Sequence, residues 1–233
     1  MGDNTYCFSH SGFPWLGFDD IYVYQNNWYF NVKKSNVYSI EINGYAKQEE
    51  AYNHFLKTYK DDYDWVAFFD IDEFLVLKQH KDIKQFLLDY NGYKSVGINW
   101  VFFGDNGLEF CGDYSVLNRF IKRQIGVDKH VKSIVKMNSD IIYAAHAPIN
   151  VDSVDTNYNT FNGPFNPNGD DKIAQLNHYF CKTKEEWVLK KNRGSVGFIP
   201  THENFIRNDV DYTIHNKNEI EDKHAINFFL KKQ

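Results

Sequence analysis

Trp65-Val66-Ala67-Phe68-Phe69-Asp70-Ile71-Asp72-Glu73-Phe74-Leu75-Val76-Leu77 is the stretch on which the fold of this chain turns. An apolar run of strand-like composition ends on two carboxylates spaced i, i+2, adds a third, and turns apolar again. A buried strand carrying Asp70 and Asp72 at its end delivers carboxylates to the rim of a sheet, where open α/β sheets place ligands. Residues i and i+2 of a strand point to the same side. Paired carboxylates suit Mg²⁺ or Mn²⁺, and such an ion usually spends its remaining positions on phosphates. A bare Asp-x-Asp is more often a strand end with solvated acids. Here the acids stand inside an apolar segment, where unpaired charge is costly, and that favours a ligand site.

Working outward, strand and helix patterns alternate, which favours an α/β layer architecture. Ile21 to Tyr24 reads as a short strand closed by Gln25-Asn26-Asn27, and Val37 to Ile42 as another. Tyr45, Ala51, Tyr52, Phe55, Leu56 and Tyr59 recur near helical spacing. Asp82 can cap a helix through Asp89, with Asn91-Gly92 as its end. Lys94 to Phe103 reads as a buried strand. Strands are expected over Arg119–Gly126, Val131–Met137 and Ile141–Ala145. Val151 to Asp171, rich in Asn, Asp, Gly and Pro, reads as a long loop, mobile over the acceptor side. Thr183-Lys184-Glu185-Glu186 fits a capping box opening a helix through Lys191, with Arg193-Gly194 as its stop. Glu219 to Leu230 reads as a last amphipathic helix. The expected organisation is one domain over residues 1–200 with a C-terminal helical extension over 201–233.

The 233 residues suffice for a sizeable core. A net charge of −5 without a basic block argues against nucleic acid as a partner. Aromatics make up 18 % of the chain, and aromatic-rich clefts suit sugar faces. The abundance of Asn, Lys, Phe, Tyr and Ile suggests an AT-rich genome, bacterial or viral. Cys7, Cys111 and Cys181 are scattered and odd in number, so neither a disulfide framework nor a cysteine metal site is expected. With no signal pattern and no spanning apolar run, the expected location is cytoplasmic, at the membrane surface if the products are membrane or capsule glycans.

Trp-Val-x-Phe-x-Asp-x-Asp-Glu-Phe-Leu resembles the metal-binding segment of glycosyltransferase family 92 and of family 2-like enzymes of the GT-A fold. Further pieces follow in the family's order. They are Leu16-Gly17-Phe18-Asp19-Asp20-Ile21-Tyr22-Val23-Tyr24-Gln25-Asn26-Asn27, Asn99-Trp100-Val101-Phe102-Phe103-Gly104-Asp105-Asn106-Gly107 and His130-Val131-Lys132-Ser133-Ile134-Val135. The last are Asn177-His178-Tyr179-Phe180-Cys181-Lys182-Thr183-Lys184-Glu185-Glu186-Trp187 and Lys191-Asn192-Arg193-Gly194. The resemblance runs from about Leu16 to Gly194. It implies a GT-A-like, Rossmann-like mixed sheet flanked by helices. It also implies metal-dependent transfer of a sugar from a nucleotide-sugar donor, UDP-linked first, to a glycan or other hydroxyl acceptor, with inversion.

The resemblance places Asp72 as direct ligand of Mn²⁺ or Mg²⁺, Asp70 near the ribose or metal-bound water, and Glu73 behind them. A late His often completes such a metal site; His178 is the first candidate and His146 the second. Lys132 and Arg193 are candidates for the diphosphate, and Asn26 and Asn27 for the nucleotide, although Asn26 and Asn27 also suit a plain turn. Asp105 ends the next buried strand and is the candidate general base, with Glu109, Asp113 and Asp128 as competitors. Two features depart from the family. The position of Asp105 is more often small and hydroxylated there, and Met1 to Trp15 match its base-binding strand poorly. Two other classes compete. A haloacid-dehalogenase-type phosphatase also carries Asp-x-Asp after an apolar strand, but would want Thr or Val where Phe74 stands. A non-catalytic carbohydrate- or nucleotide-binding protein of the same fold would keep the motif without turnover.

Overall fold

The structure, a computed structural model, describes residues 5–9, 20–23, 37–39, 45–111, 115–137, 140–195 and 197–230. Strands β1 (Thr5–Ser9), β2 (Asp20–Val23) and β3 (Val37–Ser39) run parallel, with β2 in the middle. Helix α1 (Gln48–Thr58) leads into β4 (Trp65–Phe68), parallel to β1. Next come β5 (Glu73–Leu77), α2 (Ile83–Asp89), β6 (Ser95–Phe102), α3 (Val116–Arg119), β7 (Lys122–Arg123) and β8 (Val131–Lys136). The chain continues through β9 (Ser153–Val154), β10 (Thr160–Phe161), β11 (Ala174–His178) and α4 (Lys184–Arg193). It closes with α5 (Asp209–His215), β12 (Ile220–Glu221) and α6 (His224–Leu230).

The main sheet runs β10-β9-β6-β8-β4-β1-β2-β3, and β11 links β6 to β5. β8 lies antiparallel between β4 and β6. The result is the expected mixed α/β sheet flanked by helices, consistent with a GT-A-like fold. Alternation on β4 shows why both faces need helices. Trp65, Ala67 and Phe69 pack with Ile83, Phe86 and Leu87 of α2. Val66 and Phe68 pack with Tyr52, Phe55 and Leu56 of α1. A strand apolar at every position is stable only when covered on both sides. Asp82 starts α2 by accepting from the Gln85 N–H, as its sequence suggests.

The Trp65–Leu77 stretch is not one strand. β4 pairs with β1 and β8, whereas β5 pairs with β11. The chain therefore turns between them, closed by the Glu73 N–H on the Asp70 carbonyl at 2.9 Å. Asp70 and Asp72 lie in this turn, so strand alternation does not govern where they point. Residues 151–171 are likewise no free loop. β9 and β10 pair as a hairpin, and the buried Asp155 carboxylate accepts from the backbone N–H of Asn157 (2.8 Å) and of Asn159 (2.9 Å). The strand expected over residues 141–145 is only a bridge between Tyr143 and Pro148. The expected last helix divides into β12 and α6, because Glu221 pairs back to Lys122. α5, capped by a reciprocal Asn208–Asp211 box, was not anticipated. Thr5–Ser9, a poor match to the family's strand, nevertheless forms β1 between β2 and β4. No helix among the described residues is long and apolar enough to cross a membrane.

Candidate active site

The acidic turn carries three carboxylates in three different states. Asp70 Oδ2 lies 3.2 Å from the ammonium of Lys132, and its Oδ1 accepts from Gln48 Nε2 at 3.3 Å. Burial works against its charge, but Lys132 outweighs it and holds Asp70 below the usual carboxylate range. Glu73 is buried completely; its Oε2 accepts from the Asp70 N–H at 2.8 Å and lies 3.8 Å from Lys132. Burial dominates there and pushes Glu73 well above its ordinary value, against the pull of Lys132. Asp72 Oδ2 takes the ammonium of Lys190 at 2.7 Å, while its Oδ1 faces His178 Nε2 at 3.7 Å. Lys190 and then His178 overcome the burial penalty and hold Asp72 far below a normal carboxylate.

His178 reaches this place as the last residue of β11, in register with Glu73 of β5 and Phe102 of β6. Burial pulls its imidazole down to about 3, against the attraction of Asp72, so the ring is neutral near pH 7 with a lone pair to give. Its Nδ1 has no hydrogen-bond partner among the described residues. The same holds for buried atoms of Glu73, Trp100, His146 and Arg207. Trp100 touches the rings of His130, His146 and His178. Arg207 lies over Phe180, in the field of Asp72. Orphaned polar atoms are uncommon in native interiors. Five of the seven such atoms among the described residues, those of Glu73, Trp100, His146, His178 and Arg207, gather around the acidic turn, and the other two belong to His80 and Gln175.

The profile of Glycosyltransferase family 92 matches residues 22–154, more than half of the chain. The chain belongs to glycosyltransferase family 92. The matched span holds the acidic turn, Trp100, His130, Lys132 and His146. His178, Lys190 and Arg207 of this family 92 protein lie beyond it. No curated protein matches the chain.

Several candidates sit where their chemistry was not expected. Lys132 is fully buried and committed to Asp70, Glu73 and the Ala145 carbonyl (3.0 Å), so its ammonium faces the carboxylates and not an open diphosphate position. Arg193 is exposed at the end of α4, close enough to Arg207 to disfavour its charge. His146 lies beside Trp100 and hydrogen-bonds to neither Asp70 nor Asp72 among the described residues. Asp105 accepts from Tyr212 Oη (2.6 Å), the Gly107 N–H (2.8 Å), Asn216 Nδ2 (2.9 Å) and Asn218 Nδ2 (3.2 Å). That carboxylate fastens residues 212–218 to the turn after β6 and has no acceptor position left over. Glu109 is exposed beside Lys184. Asn26, Asn27 and Asp113 lie outside the described residues.

Sequence reasoning missed Lys190. Burial lowers its pKa, while its Nζ binds Asp72 and the Phe180 carbonyl (2.9 Å) and stands 4.0 Å over the Phe180 ring. The signal was present: Lys-x-x-Arg-Gly, counted back from Gly194, lands on Lys190 and not Lys191. Lys182, held at φ 55°, adds its field to Asp72.

Among the described residues no three His, Cys, Asp or Glu side chains form a ready metal cage. The Asp72–His178 pair nevertheless fits one divalent ion. It offers a free carboxylate oxygen and a neutral imidazole at a separation too long for a hydrogen bond. An ion that fills its other positions with phosphate oxygens and water needs no more from the protein.

Proposed function

We propose that this family 92 protein transfers a sugar from a nucleoside-diphosphate donor, UDP first among the candidates, to a hydroxyl of a glycan or glycoconjugate, inverting the anomeric centre. The observation that carries this reading is the charge arrangement at Asp72. One carboxylate is met by Lys190 and lies in the fields of Lys182 and Arg207, with Arg193 adjacent to Arg207. Four cations around so few acids leave positive charge to spare for a diphosphate, and guanidinium groups suit phosphate oxygens in particular.

Mn²⁺ or Mg²⁺ held by Asp72 and His178 would supply neutralisation of the leaving diphosphate. The chain's own groups do the rest. Lys190 fixes the Asp72 rotamer and offers its ammonium beside the phosphates. Lys132 keeps Asp70 ionised, in the place where a ribose hydroxyl would be accepted. Phe180 and Trp100 close the floor and keep water away from the charged groups. Asn26 and Asn27 remain the proposed contacts to the base. A working place at the membrane surface, with peripheral attachment only, fits products that are surface glycans.

A thermal-shift panel of UDP, GDP, CDP and their sugar conjugates, with and without Mn²⁺, tests the reading. UDP with Mn²⁺ should raise the Tm of the wild type and not that of Asp72→Ala. A metal-stimulated UDP shift retained in Asp72→Ala would make the acidic turn structural. A sugar ligand that binds while no nucleotide does would favour a non-catalytic binding protein.

A further inference from the structure

The acceptor hydroxyl must lose its proton as the new bond forms, and the groups above are poorly placed to take it: His178 is assigned to the ion, and the unpartnered Nδ1 of His146 is buried. Asp105 is saturated by four donors. Asp70 and Asp72 carry ammonium partners. His130 is different. It stands immediately before β8, at the end of the sheet from which Lys132 reaches Asp70. Asp128 Oδ1 accepts from the backbone N–H of His130 at 2.9 Å and from its ring Nδ1 at 2.5 Å. A carboxylate accepts only, so Nδ1 carries the hydrogen and the lone pair is on Nε2. Nε2 has no hydrogen-bond partner among the described residues, and the side chain is 31 % exposed.

The ring is also held in place. It stacks on Trp100 at 5.0 Å and takes the edge of Phe165 at 4.8 Å. The loop under it is fixed by the Asp128 N–H on the Trp100 carbonyl (2.8 Å) and by Asn99 Nδ2 on the Asp128 carbonyl (2.8 Å). Trp100 touches His178 with its other contacts, so one indole separates His130 from the Asp72–His178 pair. The indole face spans the distance from the base to the Asp72–His178 pair, and a donor sugar laid against it would bring its anomeric carbon and the incoming hydroxyl toward His130.

We propose that His130 is the general base of the transfer, and that Asp128 is its positioning residue. The inference rests on the glycosyltransferase reading of this site. The acceptor O–H proton passes to His130 Nε2 as the oxygen forms its bond to the anomeric carbon. The bond from that carbon to the diphosphate oxygen breaks, and its electron pair leaves with the nucleoside diphosphate. The imidazolium then returns its proton to water.

The test uses the full chain, with UDP release into water from UDP-glucose, UDP-galactose and UDP-N-acetylglucosamine, and UDP affinity by calorimetry with Mn²⁺. His130→Ala should lower UDP release by a factor on the order of 10²–10⁴, with UDP affinity within about twofold of wild type. Asp128→Asn should approach the same loss, because the amide no longer selects the productive tautomer. Azide attacks without giving up a proton, so it should restore UDP release in His130→Ala and leave the wild type little changed; His130→Gln serves if the Ala variant misfolds. Wild-type turnover in these variants, loss of UDP affinity alongside turnover, or no response to azide would each overturn the role of His130. A wild type that neither binds UDP nor consumes any of the three donors would instead remove the glycosyltransferase reading on which it rests.

Discussion

At the scale of single residues, Asp70 and Asp72 are separated by one position and by two roles. Lys132, with no exposure of its own, depends on Asp70 for its nearest countercharge. Removing one partner of a buried pair typically costs about 3–5 kcal/mol, and Glu73 at 3.8 Å offsets part of that. Asp72 is itself mostly buried, but its partner Lys190 keeps 14 % of its side chain exposed where Lys132 keeps none. Two neutralising substitutions should therefore cross. Asp70→Asn should lower the Tm more than Asp72→Asn does, and Asp72→Asn should lose more Mn²⁺-stimulated UDP binding. Equal effects in both assays would mean that the two acids share one role. The residue pattern predicted ligand acids here; it could not show which acid each lysine would meet, because Lys132 and Lys190 arrive from β8 and α4.

At the scale of elements, residues 151–171 show how composition misleads. Asn, Asp, Gly and Pro are turn formers, and turns suggested mobility. Tertiary contacts use the same residues as pins. Asn166 Nδ2 reaches Asp155 Oδ2 at 3.3 Å, Asn99 Nδ2 donates to the Asn166 carbonyl at 2.8 Å, and the Ser95 and Ser153 hydroxyls meet at 2.7 Å. Limited proteolysis should leave this segment intact in the free protein. Asp155→Ala strands two backbone N–H groups, at a typical cost of about 1–3 kcal/mol each, and should open it to cleavage. Cleavage of the wild type that UDP and Mn²⁺ suppress would restore the idea of a lid. The capping box at Thr183 was legible because it is local: four consecutive residues satisfy one another wherever the helix packs.

At the scale of the whole molecule, the C-terminal residues close over the turn that follows β6. A methyl group on Gly104 would come within 2.4 Å of the Lys217 carbonyl oxygen, so Gly104→Ala must push that segment away. It should cost about 1–3 kcal/mol, read as a lower urea midpoint. Asp105→Asn should likewise lower stability, while UDP release per folded molecule stays near wild type. A selective loss of turnover there would return Asp105 to the chemistry. Acid should weaken the fold in two windows. Burial and the Lys132 charge lower His146 from 6.5 to about 4, and burial lowers His178 from 6.5 to about 3, so the unfolded chain gains protons that the fold refuses, and stability falls as pH drops from 6.5 to 4. Burial opposes charge on Asp222, but the hydrogen bonds from the His224 backbone and Gln175 outweigh it and lower the carboxyl from 3.8 to about 2. Its contribution, about 1–2 kcal/mol, is present above pH 4 and lost between pH 4 and 2. Urea midpoints at pH 7, 5 and 3 should fall in that order; a flat interval from 6.5 to 4 would mean that both His146 and His178 protonate freely in the fold.

The sequence by itself determined what depends on neighbours along the chain. The apolar run into Asp70, the caps at Asp82 and Thr183, and the order of strands and helices are set by periodicity and local hydrogen bonding, and they suffice for a mixed α/β sheet. Only the tertiary structure decided what depends on distance across it. It broke Trp65–Leu77 into two strands with different partners, spent Asp105 on the C-terminal segment, and buried Lys132 against Asp70. It also brought His178 and Lys190 to Asp72 and set His130 across Trp100 from them. Charges choose partners by proximity in a medium of low dielectric, and proximity between residues more than a hundred positions apart is a property of the folded sheet.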